Sequence, residues 1–203
     1  MNQISVGGTG SAAAPPDVAI IDVGVDVVAR SVAEARSVAA TDSAQVLEAL
    51  RSHGVASLDL VTTAMSIRPE YDHREGRRLR GYRVANSVEA KVRDMEAVGK
   101  AIDAVAAVGD SIVINGIRFT HSDPAVLEKR AREAAWEEAS RKATELAALS
   151  GVTLGPVIAI AEHSHGGPPT PVRAMAREAA GVVTPIAGGE LAVSVTIDVQ
   201  FSI

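Results

Sequence analysis

Residues 191–203 read LAVSVTIDVQFSI, and this stretch decides the fold class. Apolar side chains stand at every second position from Leu191 to Ile203, with Ala, Ser, Thr, Asp and Gln between them. A period of two is typical of a β-strand that has one face in a hydrophobic core and the other in water. The segment therefore predicts a long strand in a sheet that is covered on one side.

The same alternation recurs in earlier parts of the chain. Residues 18–28 place Asp22, Gly24 and Asp26 between apolar neighbours. Two further runs, joined by a polar connection at residues 73–80, predict a β-hairpin. The predicted strands cover residues 4–9, 18–28, 61–71, 82–92, 111–120, 157–161 and 191–203.

Helix-start and helix-stop residues lie between these strands. Ser31 and Glu34 have the spacing of a capping box, in which each side chain bonds a free amide of the first turn. Pro124 follows Asp123 at the first helical position, where the missing N–H of proline is not needed. Three helices are predicted: from the Ser31 cap to Leu50 with Gly54 as the stop, from Met95 to about Val108 between Asp94 and Gly109, and from Pro124 to about Leu149 before Gly151. The order β-β-α-β-β-α-β-α-β-β, with paired strands between single helices, favours an α+β fold.

The third helix combines alanines with many charges. Its predicted apolar stripe consists of Leu127, Ala131, Ala135, Ala139, Ala143 and Leu146. The other face predicts i,i+4 ion pairs, which indicate a solvated surface: Glu128–Arg132, Glu137–Arg141 and Glu138–Lys142. Trp136 stands among these charges. Two interpretations of it stay open: an anchor in a protein–protein interface, or a cover for the edge of the core.

Composition excludes several classes of function. The 203 residues contain no cysteine, which rules out thiol catalysis, disulfides and thiolate metal sites. Aromatic residues make up 2% and the net charge is −5, so no nucleic-acid partner is expected. No stretch reaches the roughly 18 apolar residues of a membrane helix, and residues 1–8 lack the features of a signal peptide. We therefore expect a soluble cytoplasmic chain, or a periplasmic one if a signal peptide has been removed.

An ordered set of short motifs spans almost the whole chain. The segments are ISVGGTG at 4–10, PPD at 15–17, GYRVAN at 81–86, GIRFT at 116–120, DP at 123–124, AREAA at 131–135 with KA at 142–143, GVTLG at 151–155, TPI at 184–186 and GGE at 188–190. In this order they resemble the SIMPL-domain family, a widespread bacterial group. The chain is read as a single SIMPL-like domain over residues 1–203, with two subdomains as an open alternative.

The resemblance implies long strands backed by helices, assembly into higher oligomers and export to the periplasm or cell envelope. The family name comes from an animal signalling adaptor, which suggests binding rather than catalysis. The family supplies no catalytic residues to carry over, and no cofactor is predicted. This sequence departs from the pattern in showing no export signal.

The sequence His163-Ser164-His165 is the most metal-like feature of the chain. Two histidines two residues apart can bind a cation from a loop, and Glu162 adjoins them. Gly166 and Gly167 follow, so a solvated loop is the plainer interpretation. A pH-sensitive contact is a third. The surrounding stretch, residues 163–190, is rich in Gly, Pro and Ala, and loops of this length are usually functional, interfacial or disordered.

The connection of the predicted hairpin is basic. Arg74, Arg77, Arg78 and Arg80 lie within eight residues and could contact an acidic partner, a phosphate or an anionic lipid surface. The alternative is a charged turn that keeps an exposed strand end soluble.

Two patterns superficially suggest catalysis or phosphate binding. Residues 7–10, GGTG, look like a phosphate cradle, but Pro15 and Pro16 follow where a helix N-terminus would be needed, so we expect a turn next to a strand. Asp22 and Asp26 share the wet face of one strand, and that face needs no acid–base role.

These observations predict a non-enzymatic, self-assembling interaction protein linked to envelope or stress functions. The expected partners are other copies of the chain or a second protein. The alternatives are a small-ligand or metal-binding module that uses residues 163–190, and an enzyme of unrecognised type.

Overall fold

The α+β class is confirmed by the computed structural model, which describes residues 2–72, 78–164, 170–172, 184, 186 and 188–203. The order of elements is the predicted one, apart from a short additional strand before the last. The elements are β1 (Gln3–Ala14), β2 (Val18–Ala29), α1 (Val32–Ser52), β3 (Leu60–Asp72), β4 (Arg78–Val92), α2 (Val98–Ala106), β5 (Ile112–Thr120), α3 (Pro124–Ser150), β6 (Val157–Ser164), β7 (Thr170–Val172) and β8 (Glu190–Ser202). They form two compact units: unit 1 contains Met1–Pro16, Thr120–Ala176 and Gly188–Ile203, and unit 2 contains Asp17–Phe119 and Arg177–Ala187.

Unit 1 is a sheet in the order β1-β8-β6 with α3 on one face. β1 and β8 are antiparallel over their whole length, from the pair Gln3–Ser202 to the pair Ala14–Leu191. β6 and the short β7 pair with the other side of β8. The alternation predicted for β8 is confirmed, because Val195, Ile197, Val199 and Phe201 are buried in the core beneath α3.

The glycines of β1 allow α3 to pack close to the backbone of this strand. Gly8 and Gly10 lie inside the strand, so the turn expected at residues 7–10 is wrong. A Cβ built on Gly8 would overlap the carbonyl oxygen of Ala135, and one on Gly10 would overlap that of Ala131. Glycine within a strand often marks a close approach of another backbone, and here that backbone is α3.

The predicted apolar stripe of α3 is buried, with one exception, and α3 contacts β1 and β8. Leu127, Ala131, Ala135, Ala139 and Ala143 are buried, but the last buried position is Ala147. Leu146 is exposed, because the buried positions keep a four-residue spacing to the end of the helix instead of the final three-residue step that the prediction assumed. The side chains along the stripe are short, which matches the close approach to the glycines.

Unit 2 is a sheet in the order β3-β4-β2-β5. β4 is antiparallel to both β2 and β3. α1 packs on β2 and β4 and also contacts α2. The core is built from branched aliphatic and alanine side chains, among them Ile21, Val23, Val84, Leu50 and Val105.

Local signals placed two of the three helices correctly. The Ser31 hydroxyl accepts a bond from the Glu34 amide, and Gly54 and Gly151 take positive φ values of 87° and 68° after α1 and α3. α2 begins at Val98 instead of Met95, because Asp94 closes a turn by accepting from the Glu96 amide. Across the described residues, no helix is both long enough and apolar enough to span a membrane.

Replacing Gly8 by Ala should lower the free energy of unfolding by about 1–3 kcal/mol, because the new methyl group would push α3 away from β1. The matched control is Gly116→Ala, since a Cβ at Gly116 meets no heavy atom within 4 Å. The control should unfold at the urea concentration of the parent or slightly above it. Urea unfolding followed by circular dichroism measures both, and equal midpoints for the two variants would contradict the close-packing account.

Candidate functional site

The surface of unit 1 carries a groove between α3 and the sheet. Its volume is about 370 Å³, and we call it the Trp136 groove. It is lined by Arg132, Glu133, Trp136 and Glu137 of α3, by Ile160 and Glu162 of β6, and by Ile197 of β8. The wall and floor are therefore contributed by three elements that are distant in sequence.

Helical geometry explains the position of Trp136. It follows the buried Ala135 by one residue, about 100° around α3, so it stands at the margin of the buried stripe. Ile160 pairs with Val199 across the ladder, which places it on the face that α3 covers. Trp136 and Ile160 remain 40% and 58% exposed. The groove thus presents an apolar surface that the chain itself covers only in part.

A bidentate ion pair between Arg132 and Glu162 lies along one side of the groove. Arg132 Nε lies 2.6 Å from Glu162 Oε2, and Arg132 Nη2 lies 2.9 Å from Glu162 Oε1. These bonds hold the pKa of the Glu162 carboxyl below its usual value and raise the pKa of Arg132. The pair joins α3 to β6 and uses the charge of Arg132 within the chain, so the predicted Glu128–Arg132 pair is wrong.

The other carboxylates on the rim are less engaged. Glu133 lies 3.9 Å from Lys129, and both side chains are largely exposed. Glu137 makes no ion pair with any described residue, because Arg141 bonds Glu145 at 2.8 Å instead of the predicted Glu137. The rim of the Trp136 groove is therefore acidic on the α3 side.

α3 makes different side-chain contacts with the two edge strands of this sheet, β1 and β6. At the β1 edge, the Thr9 amide donates to the Glu138 carboxylate, and Lys142 Nζ donates to the Gly7 carbonyl at 3.0 Å. Glu138 and Lys142 also form the predicted ion pair, at 3.0 Å. The Thr9 amide, and secondarily Lys142, hold the pKa of Glu138 below its usual value. Two backbone groups of β1 are thereby closed to another strand.

At the opposite edge, β6 is exposed from Val157 to His163. Val157, Ile158 and Ile160 are among the exposed large apolar residues of the chain. No second strand pairs with β6 within the parts of the chain that the structure describes. Among the described residues, this edge is therefore an apolar strand whose outward backbone groups have no strand partner, with an irregularity between Val157 and Ala159.

The predicted histidine pair is only half described. His163 Nε2 lies 3.0 Å from Asp198 Oδ2 on the sheet face opposite the Trp136 groove, and His165 lies outside the described residues. The described residues contain no cluster of three or more His, Cys, Asp or Glu side chains that could hold a metal. Metal binding by His163 and His165 stays one of the open interpretations.

The basic hairpin is likewise described in part. Arg78 and Arg80 are exposed at the start of β4, while Arg74 and Arg77 lie outside the described residues. An acidic partner for these four arginines stays a prediction.

The charged face of unit 2 has its own ion-pair network. Arg83 lies between two carboxylates, 2.7 Å from Asp26 Oδ2 and 3.0 Å from Glu70 Oε2. Asp22 accepts a bond from the Asn115 side chain at 3.2 Å. The hydrogen bonds from Arg83 lower the pKa of Glu70. Asp22 and Asp26 are thus engaged separately, with different partners, instead of forming an acid–base pair.

Sequence reasoning missed the groove and its ion pair. Arg132 and Glu162 are thirty residues apart, and helix spacing had assigned Arg132 a neighbour on its own helix. One signal was available: Glu162 continues the alternation of the strand after Ile158 and Ile160, which predicts a partner across the sheet face.

The Arg132–Glu162 pair has a pH signature. Folding lowers the pKa of Glu162, so the pair stabilises the folded chain above the unfolded pKa and this contribution is lost as pH falls through the folded pKa. At about pH 7, Glu162→Gln should have a lower free energy of unfolding than the parent. On acidification to about pH 3, the free energy of unfolding should fall less in the variant than in the parent. Glu145→Gln, which removes an exposed helical pair, is the control and should follow the parent. Urea midpoints across pH measure this, and a Glu162→Gln profile parallel to the parent's would contradict it.

Comparison with known proteins places the chain in a family. Residues 4–201 match the family model described as SIMPL, protein of unknown function (DUF541). The 26 kDa periplasmic immunogenic protein of Brucella melitensis biotype 1 is 31% identical over 214 residues, covering 99% of this chain and 84% of the relative. The uncharacterized protein YggE of Escherichia coli K12 is 31% identical over 182 residues, covering 89% and 74%. The resemblance read from the ordered motifs is confirmed, and the chain belongs to the SIMPL family.

Proposed function

We propose that this chain is a non-catalytic, self-assembling interaction protein, and that a second copy docks on the open edge of β6. The observation that carries the proposal is the asymmetry of the sheet in unit 1. α3 occupies two backbone groups of the β1 edge, whereas β6 is exposed along its length. An unprotected edge strand is a template for another strand.

The composition of β6 favours a strand as the occupant. Residues 157–161 read VIAIA, an uncharged run of small and branched apolar side chains. Branched residues suit a pleated, half-buried surface. Pairing would also cover Ile158, which is 48% exposed in the single chain. Backbone bonds and apolar burial would therefore act together.

A second copy of the same strand is the partner that this edge suits best. Two identical strands can pair antiparallel about a two-fold axis, so that each supplies the same surface. The run at 157–161 brings no like charges together, and Glu162 at its end is already paired with Arg132.

The non-catalytic part of the proposal is supported by the charged groups that are described. Asp26 and Glu70 share Arg83, and Asp22 is bonded to Asn115. A general acid or base must lie within hydrogen-bond reach of the substrate proton that it transfers. These carboxylates already bond neighbouring side chains of the same chain. None of the relatives named above carries the name of a reaction.

We also propose the periplasm as the location, in place of the cytoplasm first expected. The Brucella relative is named as a periplasmic protein, and it aligns with 99% of this chain. A role in the cell envelope or in stress, as the resemblance implies, is proposed on the same basis.

A lysine placed in the open edge should prevent docking. Ile158→Lys is expected to reduce the assembled fraction at least about fivefold, because a charge in an edge strand disfavours pairing. The matched control is Val113→Lys on β5, an edge of the other sheet where the native side chain is 41% exposed. Multi-angle light scattering at micromolar to millimolar chain concentration measures assembly.

A parent chain that stays monomeric throughout this range would overturn the proposal. Loss of assembly in Val113→Lys with normal assembly in Ile158→Lys would move the interface to unit 2.

A further inference from the structure

We infer that the Trp136 groove is a binding site for a small organic cation with an apolar body, of the alkylammonium class. The observations are its size, its apolar floor, the half-exposed indole and the excess of carboxylates on its rim. The groove is a different surface from the one proposed for self-assembly, since docking at β6 uses the backbone edge of that strand.

The dimensions suit a small molecule. A volume of about 370 Å³ lies at the lower end of the range of ligand pockets. Ile160, Ile197 and the indole of Trp136 supply apolar lining. An alkyl chain of several carbons would gain free energy by leaving water for this surface.

The carboxylates on the rim of the groove favour a positively charged ligand. Arg132 is the basic side chain of the groove, and its two donor groups are directed to Glu162. Glu137 has no ion-pair partner among the described residues, and Glu133 has a distant one in Lys129, at 3.9 Å. A cation at the rim would lie near Glu133 and Glu137, and neither of these carboxylates is bonded to Arg132.

The indole adds a second attraction for the same sign of charge. Trp presents the most favourable aromatic face for a cation, and the contact is stronger where water is partly excluded. Trp136 stands between Glu133, one helical turn before it, and Glu137, the next residue. Quaternary ammonium ligands are bound in proteins through aromatic faces of this kind.

The same chemistry is present in a lysine or arginine side chain, and the exposed Arg78 and Arg80 of a second copy are examples. The groove is bounded by α3 on one side and by the ion pair between Arg132 and Glu162 on another. A bounded site of this volume favours a separate small molecule over a segment of chain.

Trp136 is the single tryptophan of the protein, so its fluorescence reports on this site directly. Hexyltrimethylammonium is the probe, and hexanol is the uncharged comparison with the same alkyl chain. We expect the emission of Trp136 to change saturably as the cation is added. The half-saturation concentration of the cation should be at least about threefold lower than that of hexanol.

Two variants test the charges and the indole separately. Glu137→Gln should weaken binding of the cation about two- to fourfold and leave hexanol unchanged. Trp136→Leu, followed by calorimetry, should weaken it about two- to fivefold more than it weakens hexanol. Glu48→Gln, an exposed carboxylate on α1 outside the groove, is the control and should bind as the parent does. Unfolding curves of each variant show that it is folded.

Several results would overturn the inference. They are equal affinity for the cation and hexanol, no effect of Glu137→Gln, or saturable binding of a lysine-containing peptide without binding of the small cation. The titration is repeated on the parent at a chain concentration at which light scattering shows single chains. Unchanged cation binding there supports a site that is independent of self-assembly, and loss of binding at that concentration would assign the groove to the assembly interface.

Discussion

The contact between the backbone of β1 and the alanine stripe of α3 sets the geometry of unit 1. Gly8 and Gly10 have no side chains, and the helix positions that face them are Ala131, Ala135 and Ala139. Helix and strand therefore approach more closely than larger residues would permit. A methyl group at either glycine would meet the helix backbone itself, which cannot move aside as a flexible side chain can.

The two edges of the sheet follow from that approach. With α3 close to β1, Glu138 and Lys142 reach the amide of Thr9 and the carbonyl of Gly7. The helix cannot serve both edges in this way, and on the β6 side it makes contact through the Arg132–Glu162 pair. The space left beside that pair is the Trp136 groove, and the backbone edge beyond it is open. One packing contact thus accounts for a closed edge, an open edge and a groove.

Much of the fold could be predicted from the sequence because its signals are local. The alternation of residues 191–203, the Ser31 cap and the stop at Gly151 each act within a few residues of themselves. Asp94 misled the prediction because a short acceptor can close a turn as well as cap a helix. Gly8 and Gly10 were read as a turn because their reason for being glycine lies in a helix more than 120 residues away. The ordered family motifs were informative where local physics was not.

The candidate site was harder to predict for the same reason. Trp136 was recognised as ambiguous, but its surroundings depend on how α3 lies over β6 and β8. The partner of Arg132 was assigned by helix spacing, whereas the sheet offers a carboxylate whose two oxygens accept from Nε and Nη2 of the guanidinium. Interactions between distant elements depend on strand register and on how a helix packs on the sheet. The spacing of residues along one helix predicts neither of these.

If β6 is the open edge of this sheet and β1 the closed one, amide hydrogen exchange at low and high protein concentration will distinguish the two strands. The Thr9 amide should be protected at both concentrations, since Glu138 holds it within one chain. The outward-facing amides of β6 should exchange fast in dilute solution and become protected as the protein concentration rises. Outward-facing β6 amides that exchange at the same rate at every concentration would show that no strand docks on this edge.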